Sequence, residues 1–563
     1  MREWYVADFE TTGEKFFEEH GYTKVWLYAI CNSKGVIVNW GDSIETFFKW
    51  CKKNPNIDIY FHNEKFDGSF ILNYLYQNGF PYVDKLKAKD NRGYSCLVDD
   101  AGAFYKISIN FCRKKQICIY DSLKIIPLKV KVIAKAFNLE MEKEVIDYDN
   151  YTIDDKTLSY VYKDVQIVAK ALAFFKDKGF NKMTIGANAY NQASSEIEGW
   201  REFFPDLDRD WLEEWRQAYR GGRTQVNPLH QGDIMMNVRR YDINSMYPYV
   251  MSRKPMPYGN PIEISKRGSY EFEIYKVNIG FTLKKGHLPT LVKSSRLFAR
   301  SGDSYYIESD GIETLYITSV DLEIMYRHYD IWFIEYETMY GFLTSRYIFR
   351  EWIDKYYKLK SESVGGMKLV YKLIINNLYG KFGSKCRGKR KIPKFENDIL
   401  GFEVSEEEDM KIYYLPVALA IVSWAHMLID DAIIETGYDN FVYCDTDSVH
   451  TIGILPDEWV DSKEIGKFKM EGIEAKSKYV RQKCYVYYEM VEGKKSYTIT
   501  CAGMTDGIKE YLLDRYGDEV FNEFKVGLTV NADSEGIKKE QLKLRPTQVK
   551  GGTILKPVPF SLL

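Results

Sequence analysis

Apolar and polar residues alternate at period two in several short runs of the chain and at period 3.6 in a few longer ones. "EWYVADFETT" (3–12) predicts a strand with Trp4, Val6, Asp8 and Glu10 on one side. "DIYFHNEKFDGSFIL" (58–72) predicts a strand, a turn and the start of a helix. In "TLSYVYKDVQIVAKALAFF" (157–175), Val161, Val165, Val168 and Leu172 make a helical stripe, with Asp164 at its edge and Tyr160 one turn before it. "YEFEIYKVNIGFTL" (270–283) is β-rich. "MKLVYKLIINNLYGKFG" (367–383) predicts a helix with Lys368, Lys372, Asn376 and Tyr379 on one face and Leu369 and Leu373 on the packed side. "LPVALAIVSWAHMLI" (415–429) is apolar all round but short and broken by Ser423 and His426, which predicts a buried helix and no membrane span. "FVYCDTDSVH" (441–450) predicts a strand carrying Asp445 and Asp447 on the same side, roughly 6–7 Å apart.

A chain of 563 residues exceeds one hydrophobic core, so several domains are expected. A net charge of −2 gives no global attraction for nucleic acid, but the charge is uneven. Between Arg346 and Lys394 fourteen Lys/Arg face three acids, a local net of +11 that includes "SKCRGKRKIPK" and predicts a phosphate contact. The 45 Tyr and 31 Phe are numerous enough to stack on bases as well as fill cores. Nine scattered cysteines without a CxxC pair predict reduced thiols, not a disulfide framework or a zinc site. The acidic N-terminus has no apolar signal core.

Two sets of carboxylates carry the chemistry. The first is ordered D-x-E (Asp8, Glu10), N-x3-D (Asn63, Asp67) and Y-x3-D (Tyr160, Asp164). Four converging carboxylates repel unless cations join them, and two divalent ions on oxygen ligands would create a hydrolytic centre. This set resembles the three exonuclease motifs of proofreading DNA polymerases. The resemblance implies metal roles for Asp8, Glu10, Asp67 and Asp164, with Tyr160 positioning the attacking water. It implies that Thr11, His62, Asn63 and Phe66 hold the frayed 3′ end.

The second set joins Asp242 in "RRYDINSMYPYVM" to Asp445 and Asp447. If Asp242 reaches them, the three form a cage for two Mg2+ that would serve a primer 3′-OH and a nucleotide triphosphate. "DINSMYP", "KLIINNLYG" and "YCDTDS" together resemble the polymerase motifs of family B DNA polymerases. The resemblance implies Asp242 and Asp447 as principal ligands, Asp445 in support and the carbonyl of Ile243 on one ion. Tyr247 would exclude a ribose 2′-OH, while Lys372, Asn376 and Tyr379 would bind the nucleotide. "RQKCYVYY" supplies Lys483 and Tyr485 for DNA, with Cys484 where the family carries Thr.

"AYRGGRTQVNP", "YDSLK", "IDKYYKLK", "CAGMTD" and "EFKVG" extend the resemblance almost end to end, to the protein-primed polymerases of small tailed phages, the phi-29 type. It implies an α+β multidomain protein, with an RNase H-like 3′–5′ exonuclease domain (1–184) followed by a right-hand polymerase domain. The latter divides into palm (185–252 and 415–501), fingers (347–385), thumb (502–563) and two insertions. The insertion at 253–346 would contact the priming protein, and that at 386–414 would serve processivity and strand displacement. Tyr219, Arg220, Gly221 and Gly222 would approach DNA, Lys355 the DNA, Lys360 and Lys368 the nucleotide, and Lys143 would assist the exonuclease. The implied cofactor is Mg2+, two per site, replaceable by Mn2+. The implied partners are template-primer DNA, dNTPs and a terminal (priming) protein, in a monomer working in the cytoplasm of an infected bacterium. The rival readings are an exonuclease with a degenerate polymerase half, a non-catalytic nucleic-acid-binding relative and an RNA-synthesising enzyme.

Overall fold

The computed structural model describes residues 2–139, 150–293 and 305–562. Strands β1 (Trp4–Thr11), β2 (Val25–Asn32), β3 (Ile37–Gly41) and β4 (Asp58–Phe61) precede helix α1 (Glu64–Gln77). Strands β5 (Gly93–Val98), β6 (Phe104–Cys112) and β7 (Lys115–Asp121) and helix α2 (Asp155–Asp177) follow. Among the described residues the seven strands form one sheet in the order β3-β2-β1-β4-β7-β6-β5. The β1–β4 and β4–β7 pairs are parallel and the others antiparallel. Alternation decides the two faces. Val6 packs with Val161 and Val165 of α2, while Ala7 and Phe9 pack with Phe70 and Ile71 of α1. The sheet is therefore covered on both sides, the RNase H-like layout. The carboxyl ends of the parallel strands, Thr11, Phe61 and Asp121, open the crevice where such sheets place ligands.

The second half begins with β8 (Thr224–Val226), β9 (Ile234–Ile243) and α3 (Met246–Arg253). An appended sheet follows, built of β10 (Met256–Glu263), β11 (Phe272–Leu283), β12 (Glu313–Thr318), α4 (Ser319–His328) and β13 (Tyr329–Ser345), with strand order β10-β13-β11-β12. Helices α5 (Arg350–Glu362) and α6 (Gly365–Phe382) pack side by side before α7 (Leu415–Thr436). Strands β14 (Phe441–Asp445), β15 (Ser448–Thr451), β16 (Phe468–Arg481), β17 (Cys484–Val491) and β18 (Lys494–Cys501) then return to β8 and β9. They make an antiparallel sheet ordered β18-β17-β16-β9-β15-β14-β8, which holds the segments expected of the palm.

Helix α7 is long and apolar enough to cross a membrane, but 78% of its most apolar 18-residue window is buried inside the protein. It backs the palm sheet, where Ile429 and Ile433 meet Tyr241, Phe441 and Val449. Helix α8 (Asp506–Tyr516) and the hairpin β19 (Lys543–Val549) and β20 (Gly552–Val558) close the chain. That hairpin reaches back to the first domain. The Thr23 N–H donates to the Lys550 carbonyl at 2.9 Å and the Thr553 hydroxyl to Ser69 Oγ at 2.8 Å.

The basic cluster near 386–394 departs from its sequence reading. Arg387 pairs with Asp210 at 2.9 Å, Arg390 with Asp84 at 3.1 Å and with Glu408, Lys394 with Glu403, and Lys385 with Asp100 at 3.2 Å. Arg390 and Lys385 thus tie this segment to acids of the first domain, Arg387 ties it to Asp210 in the link between the halves, and Lys394 is matched within its own hairpin, so part of the cluster's charge is balanced by the protein's own acids. All nine cysteines are free thiols.

Candidate active sites

In the first domain, β1 presents Asp8 and Glu10 on the α2 side, opposite Ala29 and Leu27 of β2. Asp67 enters from the first turn of α1, which starts just past the end of β4. Asp164 and Tyr160 lie one turn apart on α2. Burial, then Asp67, Glu10 and Asp164, hold the Asp8 carboxyl well above the usual carboxylate range. Burial raises Asp67 likewise, with Glu10 and Asp121 adding to the effect. The four acids thus share one field, and Asp67 Oδ1 is buried with no hydrogen-bond partner. Among the described residues no three acids stand at ion-binding distance of one point. The donor set of hard oxygens with excess negative charge fits divalent cations.

Around these acids, Asn63 caps α1 in the left-handed region, at φ 78°, with its N–H on Asp121 Oδ1 at 3.0 Å and its side chain exposed. Phe66 is half-buried against Phe70, and Thr11 ends β1 at an irregularity in the pairing. His62 is a correction. Its ring nitrogens sit 3.0 Å from Ser122 Oγ and 2.8 Å from the Leu128 carbonyl, so it fastens the segment after β7 and has no free edge for DNA. Lys143 lies outside the described residues. Sequence reasoning gave no role to Asp121, although it noted "YDSLK". Asp121 accepts the Asn63 and Leu123 N–H groups and thereby sets the start of α1.

Glu64, also unremarked in the sequence, is fully buried in α1 with neither carboxyl oxygen hydrogen-bonded. Burial, then Asp121 and Asp67, push its pKa well above 4.5. A carboxyl with a raised folded pKa contributes stability that is full below its unfolded pKa and declines as pH rises through the folded one. Glu64→Leu is therefore expected to stabilise the protein by about 1–3 kcal/mol at alkaline pH. Calorimetric melting should show a gain that is larger at about pH 8 than at about pH 5. A destabilised variant at both pH values would mean that Glu64 has a partner it needs.

The palm brings Asp242 to Asp445 and Asp447 through sheet pairing. Asp242 near the end of β9 lies directly across from Ser448 of β15, and the Ile243 N–H donates to the Asp447 carbonyl at 2.8 Å. The two later acids do not share a strand as the alternation predicts. β14 ends at Asp445, Thr446 turns with φ 64°, Asp447 completes a two-residue loop, and Ser448 pairs back with Asp445. A β-branched residue in the left-handed region is strained, which is typical of sites held by their surroundings. Here the Thr446 N–H donates to the Arg223 carbonyl at 2.8 Å, and Gly222 supplies the room. A Cβ on Gly222 would meet the Thr446 side chain at 2.8 Å. The space at Gly222 therefore accommodates Thr446.

Burial, then Asp447, raise the Asp242 pKa to about 7. Asp447 is raised by burial and by Asp445, against the pull of Lys483 and Lys372. Asp445 is held by four side chains, the Thr446 hydroxyl donating to its Oδ1 at 3.3 Å. It accepts Thr224 Oγ1 at 3.0 Å on one oxygen, Tyr443 Oη at 3.2 Å on the other, and Lys483 Nζ at 2.7 Å on both. Lys483 thus neutralises Asp445 in this state. Cys484, the departure from the family pattern, is buried opposite Cys501 and packs with Val486 and Ile499. Tyr485 is half-buried among Tyr443 and Tyr479, with ring centroids at 5.3 and 5.2 Å.

Above the acids, Tyr247 of α3 packs on Tyr379 of α6 with centroids 4.1 Å apart. Asn376 Oδ1 is buried without a partner on the same helix, and Lys368 and Lys372 are exposed. Lys360 of α5 donates to Ser245 Oγ at 2.9 Å. Burial, then Lys372 and Lys368, lower its pKa to about 8. Three lysines in one another's field are unfavourable until a polyanion arrives. Lys355 lies apart from them, ion-paired with Glu196 at 3.0 Å. In the link between the halves, Tyr219 is half-buried, and Gly221 is open with its carbonyl 2.8 Å from His426 Nε2. Arg220 is a correction. Its guanidinium is buried and donates to the Val292 and Tyr316 carbonyls, so it cannot meet DNA as placed.

A palm sheet with an acid-bearing hairpin, joined to an RNase H-like domain with its own acid cluster, is the plan of a DNA polymerase with an attached exonuclease domain. The family profile described as DNA polymerase type B, organellar and viral, matches residues 49–152 and 146–465. The chain belongs to this family and is a DNA-directed DNA polymerase, a class dependent on divalent metal. The DNA polymerase of Bacillus phage phi29 is 34% identical across 100% of this chain and 99% of its own. A phi29 polymerase structure with primer-template DNA, a post-translocation binary complex, superposes at a TM-score of 0.89 with 32% identity and complete coverage of both chains. The corresponding ternary complex with incoming nucleotide gives 0.88 and 34%, again with complete coverage. Within the family, the chain is of the phi29 type.

Proposed function

We propose that this polymerase replicates a linear viral genome in the cytoplasm of an infected bacterium. It starts on the hydroxyl of a terminal protein, extends processively with strand displacement, and removes mispaired ends with its 3′–5′ exonuclease. The observation that carries the synthetic reading is Asp242 lying across the sheet beside the Asp445–Asp447 turn, beneath the Lys360, Lys368 and Lys372 group. Protein priming and displacement are supported by the end-to-end likeness to phage polymerases, which includes the sheet at 256–345 and the hairpins at 387–409. The phi29 complexes with primer-template DNA and incoming nucleotides support the same partners here.

Asp242, Asp447 and Asp445 would hold Mg2+ for synthesis, and Asp8, Glu10, Asp67 and Asp164 for degradation, with Mn2+ as a substitute. Two bound ions per site would supply acidity to the attacking oxygen and charge for the leaving one. The chain's own work is positioning. Lys360, Lys368 and Lys372 take the triphosphate, and Tyr379 and Asn376 meet the nucleotide. Tyr247 bars a 2′-OH, and Tyr160 orients water at the other site.

Mg2+-dependent extension of a primed template separates this reading from an exonuclease-only or non-catalytic relative, in which no product would grow. Labelling of a candidate terminal protein by dATP without any DNA primer tests priming. Label transferred to DNA primers but never to protein would overturn that part.

A pH dependence follows from Lys360. It is protonated below its pKa of about 8 and neutral above it, so its grip on triphosphate weakens as pH rises. The KM for dNTP should climb several-fold from about pH 7 to about pH 9, and Lys360→Arg, always charged, should flatten the climb. An identical climb in both proteins would assign it to another group.

A further inference from the structure

The sheet at 256–345 is tied to the palm at the stretch that carries the Asp445–Asp447 turn. Thr224 opens β8, the edge strand of the palm sheet, and pairs with Asp445 of β14. Its N–H donates to Tyr305 Oη at 3.1 Å, and Tyr305 Oη donates to its carbonyl at 3.0 Å. Both backbone groups of Thr224 therefore face away from β14, and the pair with Asp445 is of the kind that exchanges no backbone hydrogen bonds. In such pairs the side chains stand closest. That closeness brings Thr224 Oγ1 to 3.0 Å from Asp445 Oδ1. One phenol, buried at 8% exposure and contributed by the connection between β11 and β12, thus covers an open sheet edge and holds the residue whose hydroxyl, together with Lys483, Tyr443 and Thr446, orients a palm carboxylate.

The neighbouring residue is held from the same side. The Arg223 carbonyl receives the Thr446 N–H at 2.8 Å, and its guanidinium pairs with buried Asp430 at 3.0 Å. His328 of α4 meets that same Asp430 oxygen at 2.8 Å. The Asp445–Asp447 turn is therefore braced through two successive residues, Thr224 by Tyr305 and Arg223 by Asp430 of α7, which His328 of α4 also meets.

We propose that Tyr305 and Thr224 are positioning residues for the polymerising site, fixing Asp445 so that it shares divalent cations with Asp447. This rests on the reading of Asp242, Asp445 and Asp447 as metal-binding. The variants are Tyr305→Phe, Thr224→Val and the conservative Thr224→Ser. Partners of this kind typically govern metal affinity by roughly 10- to 100-fold. Thr224→Val and Tyr305→Phe should raise the Mg2+ needed for half-maximal incorporation by about tenfold or more, with single-strand degradation unchanged and Thr224→Ser close to wild type. A readout independent of synthesis is Mn2+ binding followed by electron paramagnetic resonance. It would use dNTP and a primer lacking its 3′-OH, in an Asp8→Ala/Glu10→Ala background, and the affinity should fall with the same two variants. Wild-type Mg2+ demand and Mn2+ affinity in Thr224→Val would overturn the proposal. So would synthesis, degradation and melting temperature declining in parallel, which would mark a merely structural role. Failure of the underlying reading looks different, because the parent would then bind Mn2+ no better than its Asp447→Asn derivative.

Discussion

Asp447→Asn should lower dNTP incorporation on the order of a thousandfold or more, while release of nucleotides from single-stranded DNA continues at the parental rate. The substitution keeps the size of the side chain and removes its charge. The surrounding structure loses little, because the Asp447 carbonyl still receives the Ile243 N–H and its own N–H still reaches the Asp445 carbonyl at 2.8 Å. Repulsion among Asp242, Asp445 and Asp447 raises their folded cost, so the melting temperature should hold or rise. A protein that loses synthesis while keeping its fold and its exonuclease has lost cation binding, not architecture. Equal loss of both activities would mean that the two sites are not separate.

The converse substitution, Asp8→Ala with Glu10→Ala, should suppress 3′ degradation by a comparable factor, on the order of a thousandfold, and leave primer extension intact. Four acids that share one field repel one another unless cations join them. Asp8 is pushed up by Asp67, Glu10 and Asp164 together, after burial itself. Deleting two of them relieves that field, and β1 keeps its pairing with both β2 and β4 through the backbone. Gel assays of a labelled single strand and of a primed template read the two outcomes on one preparation. Persistent rapid degradation would remove Asp8 and Glu10 from the site.

The residues that carry these predictions were legible in the sequence because their spacing obeys local rules. Asp8 and Glu10 share a strand face, and Tyr160 and Asp164 are a helical turn apart. What was hidden depends on partners far along the chain. The turn at Asp445–Ser448 is built of ordinary turn formers except at Thr446, a β-branched residue that gives no signal of a left-handed backbone. Its left-handed backbone is held by the Arg223 carbonyl and accommodated by Gly222, more than two hundred positions earlier. The basic cluster resembled a phosphate site because its acids, Asp84, Asp100 and Asp210, belong to other segments. Arg220 and His62 looked available for DNA for the same reason, since the carbonyls that engage them lie 66 to 96 residues away. Tyr305 had no local signal at all, because its meaning comes from the sheet edge it covers.

The most direct test of the account is anomalous scattering from Mn2+ in crystals of the protein with primer-template and a non-reacting dNTP analogue. The account predicts ions shared by Asp242 and Asp447 at the nucleotide. It predicts a separate set among Asp8, Glu10, Asp67 and Asp164 when a single strand occupies the first domain. A bound nucleotide with no ion between Asp242 and Asp447 would contradict it.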